Sequence, residues 1–310
     1  MKIVALAGGV GGAKLADGLA QILPPEDLTI IVNIGDDFEH LGLTICPDLD
    51  TVCYTLAGLA NLETGWGRAD ETWNFKESFT QLGDPDWFQL GDRDLATHFE
   101  RTRRLKAGQP LSRITADFCT AWGIQHAILP ASDDAIPTIV ETDEGDLPFQ
   151  EYFVARKCNP TVKGFRFEGI ENTQPAPEVI ASIQTSDLVV ICPSNPFVSI
   201  DPILTIPGIR STLDSILVIA VSPIIGGQAV KGPAAKMYTE LGITPSAFAI
   251  AEHNQSLLSG LIIDTEDAHQ ADAIRALDIT PKVTATLMKS SEDRRRLASQ
   301  TLDFGHELLT

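Results

Sequence analysis

A glycine-rich turn near the start of the chain is the segment whose residue types point most directly to chemistry. An apolar run over 2–7 leads into AGGVGGAK, residues 7–14. A strand followed by glycines and a helix is a common phosphate-binding arrangement, because the backbone can approach closely and helix N–H groups face the anion. We therefore expect a phosphate cradle here, with a plain tight turn as the alternative.

The spacing of this turn departs from two well-known phosphate-binding motifs. A dinucleotide fingerprint needs G-x-G-x-x-G, but its third glycine would fall on Lys14 if Gly9 and Gly11 began it. A Walker A loop needs Gly-Lys-Ser/Thr, whereas Lys14 lies between Ala13 and Leu15. The turn belongs to neither class.

Two pairs of carboxylates are candidate ligands for a metal ion. Asp36 and Asp37 follow an apolar run, and Asp48 and Asp50 lie two residues apart before a helical pattern. Hard oxygen ligands suit magnesium, which usually takes one or two carboxylates together with water and substrate phosphate. The alternative is that Asp48 or Asp50 is the N-cap of the following helix.

The charge of the chain restricts its partners. Its 42 acidic and 23 basic residues give a formal net charge of −19. Nucleic acids and anionic membrane surfaces favour Lys and Arg, so neither is expected as a partner. A phosphate substrate then needs local screening, for which a divalent cation is the usual means.

Cysteine usage and the N-terminal sequence indicate a cytoplasmic protein. The five cysteines are scattered without a C-x-x-C pair, and an odd number cannot all form disulfides within one chain. The first apolar run is too short for a signal peptide, and no stretch approaches 18 consecutive apolar residues.

Apolar runs and helical patterns alternate along the chain. Strands are expected at 2–7, 28–34, 136–142, 187–192, 216–221, 247–251 and 260–264. Helices are expected at 12–22, 50–61, 177–184, 209–214, 233–241 and 266–277. This order predicts one Rossmann-like α/β domain over 1–310, with a doubly wound, mainly parallel sheet between two helical layers. Two consecutive helical patterns over 92–124 predict a small helical insertion, and alternation over 149–168 predicts extra strands.

Ligands of such sheets bind outside the carboxyl ends of the strands. The segments that follow three predicted strands are rich in amides, hydroxyls, carboxylates and glycine. They are NIGDD over 33–37, PSNP over 193–196 and SPIIGG over 222–227. We expect a nucleotide diphosphate to bind among them.

Eight segments in order resemble the 2-phospho-L-lactate transferase family of deazaflavin coenzyme F-420 biosynthesis. They are AGGVGGAK, VNIGDD, CPDLDTVCYTL, GWGRADETWN, DWFQLGDRDLATH, LPASDD, PSNPFVSIDPIL and AVSPIIGGQAVKGPAAK. The resemblance covers residues 1 to about 260, and the combination is far more specific than any single glycine-rich loop.

This resemblance implies transfer of a phospho-acid group. Members of the family use a donor in which guanosine diphosphate carries a small acid. They transfer the phospho-acid group, which is phosphoenolpyruvyl, 2-phospho-L-lactyl or a similar group, to the deazaflavin Fo. GMP leaves, and Mg²⁺ stabilises the charge on the diphosphate. The DETWN and DWFQLGDRDLATH segments are closer to bacterial members, which favours the enolpyruvyl donor. Family members often form homodimers.

The family resemblance also implies roles for individual residues. Asp36 and Asp50 are expected to bind magnesium with support from Asp48, and Asp50 also matches a position that contacts Fo and could deprotonate its hydroxyl. Gln89 matches a second Fo-contacting position, and Arg93 is placed to counter phosphate charge or to pair with a neighbouring aspartate.

The residues expected to hold the diphosphate are Gly8, Gly9, Gly11, Gly12, Ser194, Asn195, Gly226 and Gly227, with Lys14 either assisting them or pointing to solvent. The aromatic residues Trp66, Trp73, Trp87 and Phe88 offer stacking surface to the deazaflavin, with core packing as the alternative.

Two other functions stay open at this level. A sister branch of the same fold is thought to bind nucleotide sugars as a regulator, without turnover. A dinucleotide-dependent oxidoreductase is disfavoured by the failed G-x-G-x-x-G spacing, although Asp36 and Asp37 lie near the end of the second predicted strand, where a ribose-binding acid would be.

Overall fold

The computed structural model describes residues 1–83 and 87–310, and its strands and helices alternate along most of the chain. The strands are β1 (Ile3–Ala7), β2 (Leu28–Val32), β3 (Phe38–His40), β4 (Leu43–Ile45), β5 (Ala127–Pro130), β6 (Thr138–Thr142), β7 (Gly145–Pro148), β8 (Val162–Phe167), β9 (Leu188–Ile191), β10 (Leu217–Val221), β11 (Ile224–Ile225), β12 (Gln228–Ala229), β13 (Gly260–Ile263) and β14 (Thr280–Val283). The helices are α1 (Gly9–Ala20), α2 (Pro47–Leu56), α3 (Asn74–Thr80), α4 (Asp92–Lys106), α5 (Leu111–Ala121), α6 (Val179–Gln184), α7 (Asp201–Thr205), α8 (Ile209–Leu213), α9 (Ala234–Glu240), α10 (Ala247–His253), α11 (Ala271–Arg275) and α12 (Ser291–Leu309).

A seven-stranded parallel sheet is the centre of the fold. Its strand order is β14-β13-β10-β9-β1-β2-β5, and every adjacent pair is parallel. Counted by their order of appearance in this sheet, the strands run 3-2-1-4-5-6-7, which is the doubly wound order with a seventh strand added. Helices cover both faces, so the predicted Rossmann-like three-layer α/β class is confirmed.

The topology places two chain segments at the point where ligands usually bind. The chain leaves β1 towards one half of the sheet and leaves β9 towards the other. The carboxyl ends of these two adjacent strands therefore border the crevice that doubly wound folds use. The glycine turn follows β1 there, and the Pro193–Asn195 segment follows β9.

Two strand predictions differ from the structure. The apolar run at 247–251 is the helix α10, because Ser246 accepts a hydrogen bond from the Ala249 N–H and caps the helix. The strand at 136–142 exists as β6, but it belongs to a separate antiparallel sheet of order β7-β6-β8. The strand that pairs with β2 is the short β5, which the sequence interpretation missed.

The region 149–168 is partly helical. The predicted alternation over 163–167 is confirmed as part of β8, whereas the first stretch forms a π-helical turn over Glu151–Ala155. The two helical patterns within 92–124 are confirmed as α4 and α5. Whether they form an insertion within a single domain over 1–310 stays a prediction.

The helix α12 near the end of the chain completes the packing of the glycine-turn helix. A capping box between Ser290 and Asp293 fixes its start. It packs against α1 so closely that a Cβ added at Gly18 would lie 2.3 Å from the Arg294 carbonyl oxygen. Within the described residues, none of the helices combines the length and apolar character needed to cross a membrane.

Asp264 carries a testable contribution to stability. This buried carboxylate follows β13 and accepts hydrogen bonds from the Thr286 N–H at 2.7 Å, the Thr286 hydroxyl at 3.0 Å and the Glu266 N–H at 3.1 Å. We expect Asp264→Ala to lower the free energy of unfolding by about 1–3 kcal/mol at pH 7, measured by urea denaturation, because buried donors lose a charged acceptor.

The effect of Asp264→Ala should depend on pH. Burial alone would raise the pKa of Asp264, but the donors on Thr286 and Glu266 outweigh it and hold the pKa below its usual value. The charged form therefore stabilises the fold above the unfolded-state pKa of about 3.9, and this contribution is lost as the pH falls through the folded-state pKa. The exposed Asp272 is a control, for which the alanine variant should change stability little at either pH. An equal penalty at pH 7 and pH 3 would contradict this assignment.

Candidate functional site

The glycine turn is tightly enclosed by neighbouring backbone. Gly8 precedes α1 in an extended conformation, and Gly9 has a φ of +62°, which favours glycine. A Cβ added at Gly11 would lie 2.2 Å from the Pro193 carbonyl oxygen, and one added at Gly12 would lie 2.6 Å from the Ser194 Oγ. These glycines thus permit close contact between the two segments that follow β1 and β9.

Ser194 fixes the first residue of this turn. Its Oγ donates to the Gly8 carbonyl at 2.8 Å and accepts from the Gly8 N–H at 3.2 Å. No side chain caps the start of α1 among the described residues. The first N–H groups of an α-helix have no partner within the helix, so an anion bound at the start of α1 would satisfy them.

Asn33 links the carboxylates to the segment after β9. It is fully buried, and its Nδ2 donates to Asp48 at 2.9 Å, to Asp36 at 3.3 Å and to the Val198 carbonyl at 3.0 Å. Its Oδ1 accepts from the Gly35 N–H at 2.9 Å. One amide therefore orients two acids that are far apart in the sequence.

Asp48 faces the glycine turn from the first turn of α2. Its carboxylate accepts a hydrogen bond from the Asn33 Nδ2 at 2.9 Å, and the nearby Gly9 N–H and Ser199 hydroxyl also favour its charged form. Its Oδ2 would lie 2.5 Å from a Cβ added at Gly8. Burial raises the pKa of Asp48 to about 6, even though these donors lower it.

Asp36, which is buried, and Asp37, which is half-buried, complete an acidic cluster with Asp48. Burial, followed by the charges of Asp48 and Asp37, raises the pKa of Asp36 well above its usual range. Burial also raises the pKa of Asp37. Gln150 donates from its Nε2 to Asp36 at 3.3 Å, and among the described residues the Asp37 Oδ1 has no hydrogen-bond partner.

This acidic cluster, Asp36, Asp37 and Asp48, suits a hard cation. Carboxylates held together away from water are costly unless positive charge reaches them, and Asp37 has an oxygen available for coordination. In the described part of the chain, no group of three or more His, Cys, Asp or Glu side chains is arranged so that it could hold a metal ion without other ligands. Because magnesium often binds through one or two carboxylates and obtains its other ligands from water and phosphate, the residues present fit it.

Asp50 lies on a different side of α2. Its Oδ2 accepts from the Arg101 Nη1 at 3.1 Å, its Oδ1 accepts from the Arg101 Nη2, and the His98 Nδ1 is 3.6 Å away. Burial raises the pKa of Asp50, while the charges of Arg101 and His98 oppose that shift. Neither Asp48 nor Asp50 is an N-cap, because the cap position of α2 is Cys46.

Arg93 and Gln89 lie on the surface near the start of α4. The Arg93 guanidinium is half-exposed and reaches Asp70 at 4.0 Å, rather than Asp92 or Asp94 as its neighbours in sequence suggested. Glu71 accepts the N–H groups of Arg93 and Asp94 and thereby caps α4. Gln89 is exposed, and Asp86, the first residue of the DWFQLGDRDLATH motif, lies outside the described residues.

The other predicted diphosphate ligands occupy two later loops. Asn195 accepts from the Phe197 N–H at 3.0 Å and so caps the π-helical turn Pro196–Ile200. Gly226 and Gly227 form the turn between β11 and β12 with φ of +56° and +77°. The Gly226 N–H donates to Asp267 at 3.0 Å.

Lys14 is half-buried and contacts the segment just before α12. Its Nζ donates to the Met288 carbonyl at 3.0 Å. Burial, then the charges of Arg294 and Lys231, lower its pKa. Lys231 in turn donates to the Thr64 carbonyl, and a Cβ at the adjacent Gly65 would lie 2.8 Å from its Nζ.

An aromatic cluster begins directly after Asp37. Phe38 packs edge-on against Phe88 with ring centroids 5.0 Å apart, and His40 packs edge-on against Trp87 at 5.1 Å. Two of the four aromatics expected to meet a flat ligand are therefore together at this end of the sheet, whereas Trp66 and Trp73 are exposed elsewhere on the surface. The cluster offers stacking surface next to the carboxylates.

Sequence interpretation missed several residues of this site. Ser199 and Gln150 each reach the acidic cluster from other parts of the chain, and Arg101 and His98 reach Asp50 from α4. Ser199 lies in the PSNPFVSIDPIL motif, and His98 ends DWFQLGDRDLATH, so motif membership was the available signal. Gln150 and Arg101 lie outside all of the motifs.

Comparison with known proteins gives one consistent result. The model of the family "2-phospho-L-lactate transferase CofD" matches residues 3–299, further than the 260 residues expected from the motifs. A phosphoenolpyruvate transferase of Streptomyces griseus is 42% identical over 99% of both chains. One of Thermobifida fusca is 42% identical over 94% of this chain and 97% of its own, and one of Mycobacterium ulcerans is 39% identical over 98% of both. A solved structure of a UPF0052 family protein from Bacillus halodurans has a TM-score of 0.64 at 15% identity, covering 97% of this chain and 98% of its own, which shows the shared fold.

Proposed function

The chain belongs to the 2-phospho-L-lactate transferase family, and we propose that it transfers a phosphoenolpyruvyl group from a guanosine-diphosphate-linked donor to the deazaflavin Fo. The relatives named phosphoenolpyruvate transferase support the choice of this acid over 2-phospho-L-lactate. The reaction would release GMP and form dehydro coenzyme F-420-0. A magnesium ion, a cytoplasmic location and a homodimer are part of the same proposal.

The observation that carries this proposal is the contact between the acidic cluster and the glycine turn. The Asp48 Oδ2 would lie 2.5 Å from a Cβ added at Gly8, so a diphosphate on the N–H groups of α1 would lie beside the carboxylates. When bound there, magnesium would supply positive charge that stabilises the charge developing on the leaving phosphate. We assign it to Asp36 and Asp48, with Asp37 next to them.

The roles of the remaining residues follow from their contacts. Asn33 would orient Asp36 and Asp48, and Ser194 would hold the Gly8 peptide so that the start of α1 stays open to the diphosphate. The Fo hydroxyl would attack the distal phosphorus, the bond to the GMP oxygen would break, and the hydroxyl proton would pass to the acidic cluster. Such a transfer depends mainly on positioning and electrostatics.

The acceptor fits the aromatic cluster. Trp87 and Phe88 lie beside Phe38, which follows Asp37 directly, so a ring stacked there would bring its side chain towards the carboxylates. Gln89 is adjacent to this cluster and would contact Fo through its backbone or side chain. Arg93 would have to leave Asp70 in order to reach a phosphate.

The test is a turnover assay with Fo and magnesium, with the enolpyruvyl, lactyl and glyceryl guanosine-diphosphate donors in parallel. We expect GMP release and a deazaflavin product with the enolpyruvyl donor, and loss of both when a chelator removes the cation. Product from the lactyl donor alone would contradict the choice of acid, and activity in chelator would contradict the metal. Absence of product with every donor, from protein that binds GDP, would favour the nucleotide-sugar-binding regulator.

A further inference from the structure

Arg101 is a buried cation outside the acidic cluster. It lies in α4, its side chain is 2% exposed, and it is the largest fully buried side chain of the described residues. Both of its terminal nitrogens donate to the carboxylate of Asp50 in α2, and Nη1 also lies 3.2 Å from the His98 Nδ1. This paired geometry is the strongest form of an Arg–carboxylate interaction.

The same stretch of α4 holds the chain just before α2. Arg101 donates to the Thr44 carbonyl at 3.3 Å, and the Thr102 hydroxyl accepts the Thr44 N–H at 2.7 Å. Both polar groups of the Thr44 backbone are therefore bound by neighbouring residues of one helix. Helix α2 begins at Pro47, three residues later.

Asp48 lies between these attachments and the glycine turn. It is the second residue of α2, whereas Asp50 is the fourth, so a movement of the helix start would displace Asp48 from the Gly9 N–H and from Asn33. A hydrogen-bonded carboxylate at the N-terminus of a helix keeps its direction only while that helix start is fixed.

We propose that Arg101 is a positioning residue of the transferase: through Asp50 and Thr44 it fixes the start of α2 and thereby holds Asp48 against the glycine turn. The inference rests on the proposed function for its kinetic consequence. It also gives the two acids of the CPDLD motif different contacts, since Asp48 binds Asn33 beside the glycine turn, whereas Asp50, which matches an Fo-contacting position, is held by Arg101. Because Arg101 occupies both oxygens of Asp50, we assign Asp50 to the pair rather than to the cation.

The test compares four variants. Arg101→Met leaves the Asp50 carboxylate buried without its partner and is expected to unfold readily, so the double variant Arg101→Met/Asp50→Leu removes the pair as a unit and should recover stability. Arg101→Lys keeps the charge but loses the fork geometry. Arg104→Met is the matched control, because Arg104 lies one turn further along α4 and pairs with Asp117 of α5, away from α2.

Two readouts separate positioning from stability. The first is hydrogen exchange of the peptide covering 44–53, which needs no substrate. The second is the kinetics with the enolpyruvyl donor. In Arg101→Lys, which leaves Asp50 in place, we expect faster exchange over 44–53 and a kcat lower by roughly 10- to 100-fold, with the donor KM within about 3-fold of the wild-type value. The folded double variant also lacks an acid that matches an Fo-contacting position, so its faster exchange over 44–53 is the readout that tests the positioning role. Arg101→Lys should retain more activity than the double variant, and Arg104→Met should match the wild-type protein in both readouts.

Wild-type exchange and wild-type kcat in the folded double variant would overturn the inference. So would an equal loss of kcat in Arg104→Met, because the effect would then belong to α4 packing in general. If the wild-type protein itself turned over no donor, the proposed function would fail, and hydrogen exchange over 44–53 would still decide whether Arg101 fixes the start of α2.

Discussion

Asp48→Asn should reduce kcat by about 10²- to 10³-fold while leaving the protein at least as stable as the wild type. Asp48 contacts both the glycine turn and the remaining carboxylates, so its charge acts where the diphosphate would be held. Loss of one group that stabilises developing charge in a dry site has an effect of this size. Asparagine keeps the shape of the side chain and an oxygen that can accept the hydrogen bond from Asn33.

The stability of Asp48→Asn should not fall with its activity. Burial raises the pKa of Asp48 to about 6, so at pH 7 the folded protein holds a carboxylate that would be more favourably charged in the unfolded chain. Asparagine removes this unfavourable buried charge from the folded state. We therefore expect the midpoint of thermal denaturation without metal to stay constant or rise. Lower activity with unchanged or higher stability is typical of a residue kept for function.

A matched control for this prediction is Asp146→Asn. Asp146 is an exposed aspartate of β7 that pairs with Arg166 of β8, the strand on the other side of β6. It should retain wild-type kcat, and its stability should change by less than about 1 kcal/mol. A folded Asp48→Asn protein with wild-type turnover would remove Asp48 from the mechanism and would leave the acidic cluster without its link to the diphosphate.

The position of the candidate site followed from the sequence because of a property of parallel sheets. The segments after β1, β2 and β9 all leave from the same edge, so motifs at the ends of predicted strands had to meet. The contacts of Asn33 with Asp48 and of Ser194 with Gly8 confirm that meeting. Long buried runs such as the one ending at Val32 were read correctly because they match a strand that is covered on both faces.

The sequence predicted less accurately those helices and strands whose type or sheet depends on residues distant in sequence. The apolar run in α10 is compatible with a strand or a buried helix, and only its cap Ser246 distinguishes them. The strand β6 has a strong pattern but pairs antiparallel with β7 and β8, whereas the weaker β5 extends the main sheet. Periodicity reports which residues are buried and does not report against which strand they pack.

The spacing of the CPDLD motif contains more information than the sequence interpretation used. Residues two apart on a helix project about 200° from each other, so Asp48 and Asp50 cannot face the same ligand once α2 begins at Pro47. The interpretation treated them as a pair because the start of the helix was expected at residue 50. With the helix start at Pro47, our proposal assigns the metal to Asp36 and Asp48 and pairs Asp50 with Arg101, whereas the sequence interpretation expected Asp36 and Asp50 as the metal ligands.

Gly11→Ala should weaken GDP binding by about 100-fold and destabilise the protein by about 1–3 kcal/mol. The added Cβ would lie 2.2 Å from the Pro193 carbonyl oxygen, which is backbone and cannot rotate away. The start of α1 and the segment after β9 would therefore separate by about 1 Å, a displacement that loses this much in a preorganised site. Calorimetric titration with GDP and urea denaturation measure the two effects.

Gly108→Ala is a control that distinguishes the steric clash expected at Gly11 from the loss of stability caused by replacing a glycine with alanine. Gly108 has a φ of +80°, but a Cβ there meets no atom within 4 Å among the described residues, and it lies between α4 and α5. Its alanine variant should lose about 1 kcal/mol of stability from backbone strain and keep wild-type affinity for GDP. If Gly11→Ala bound GDP as tightly as Gly108→Ala, the close approach of the two segments would serve packing alone, and the diphosphate would have to bind away from the N-terminus of α1.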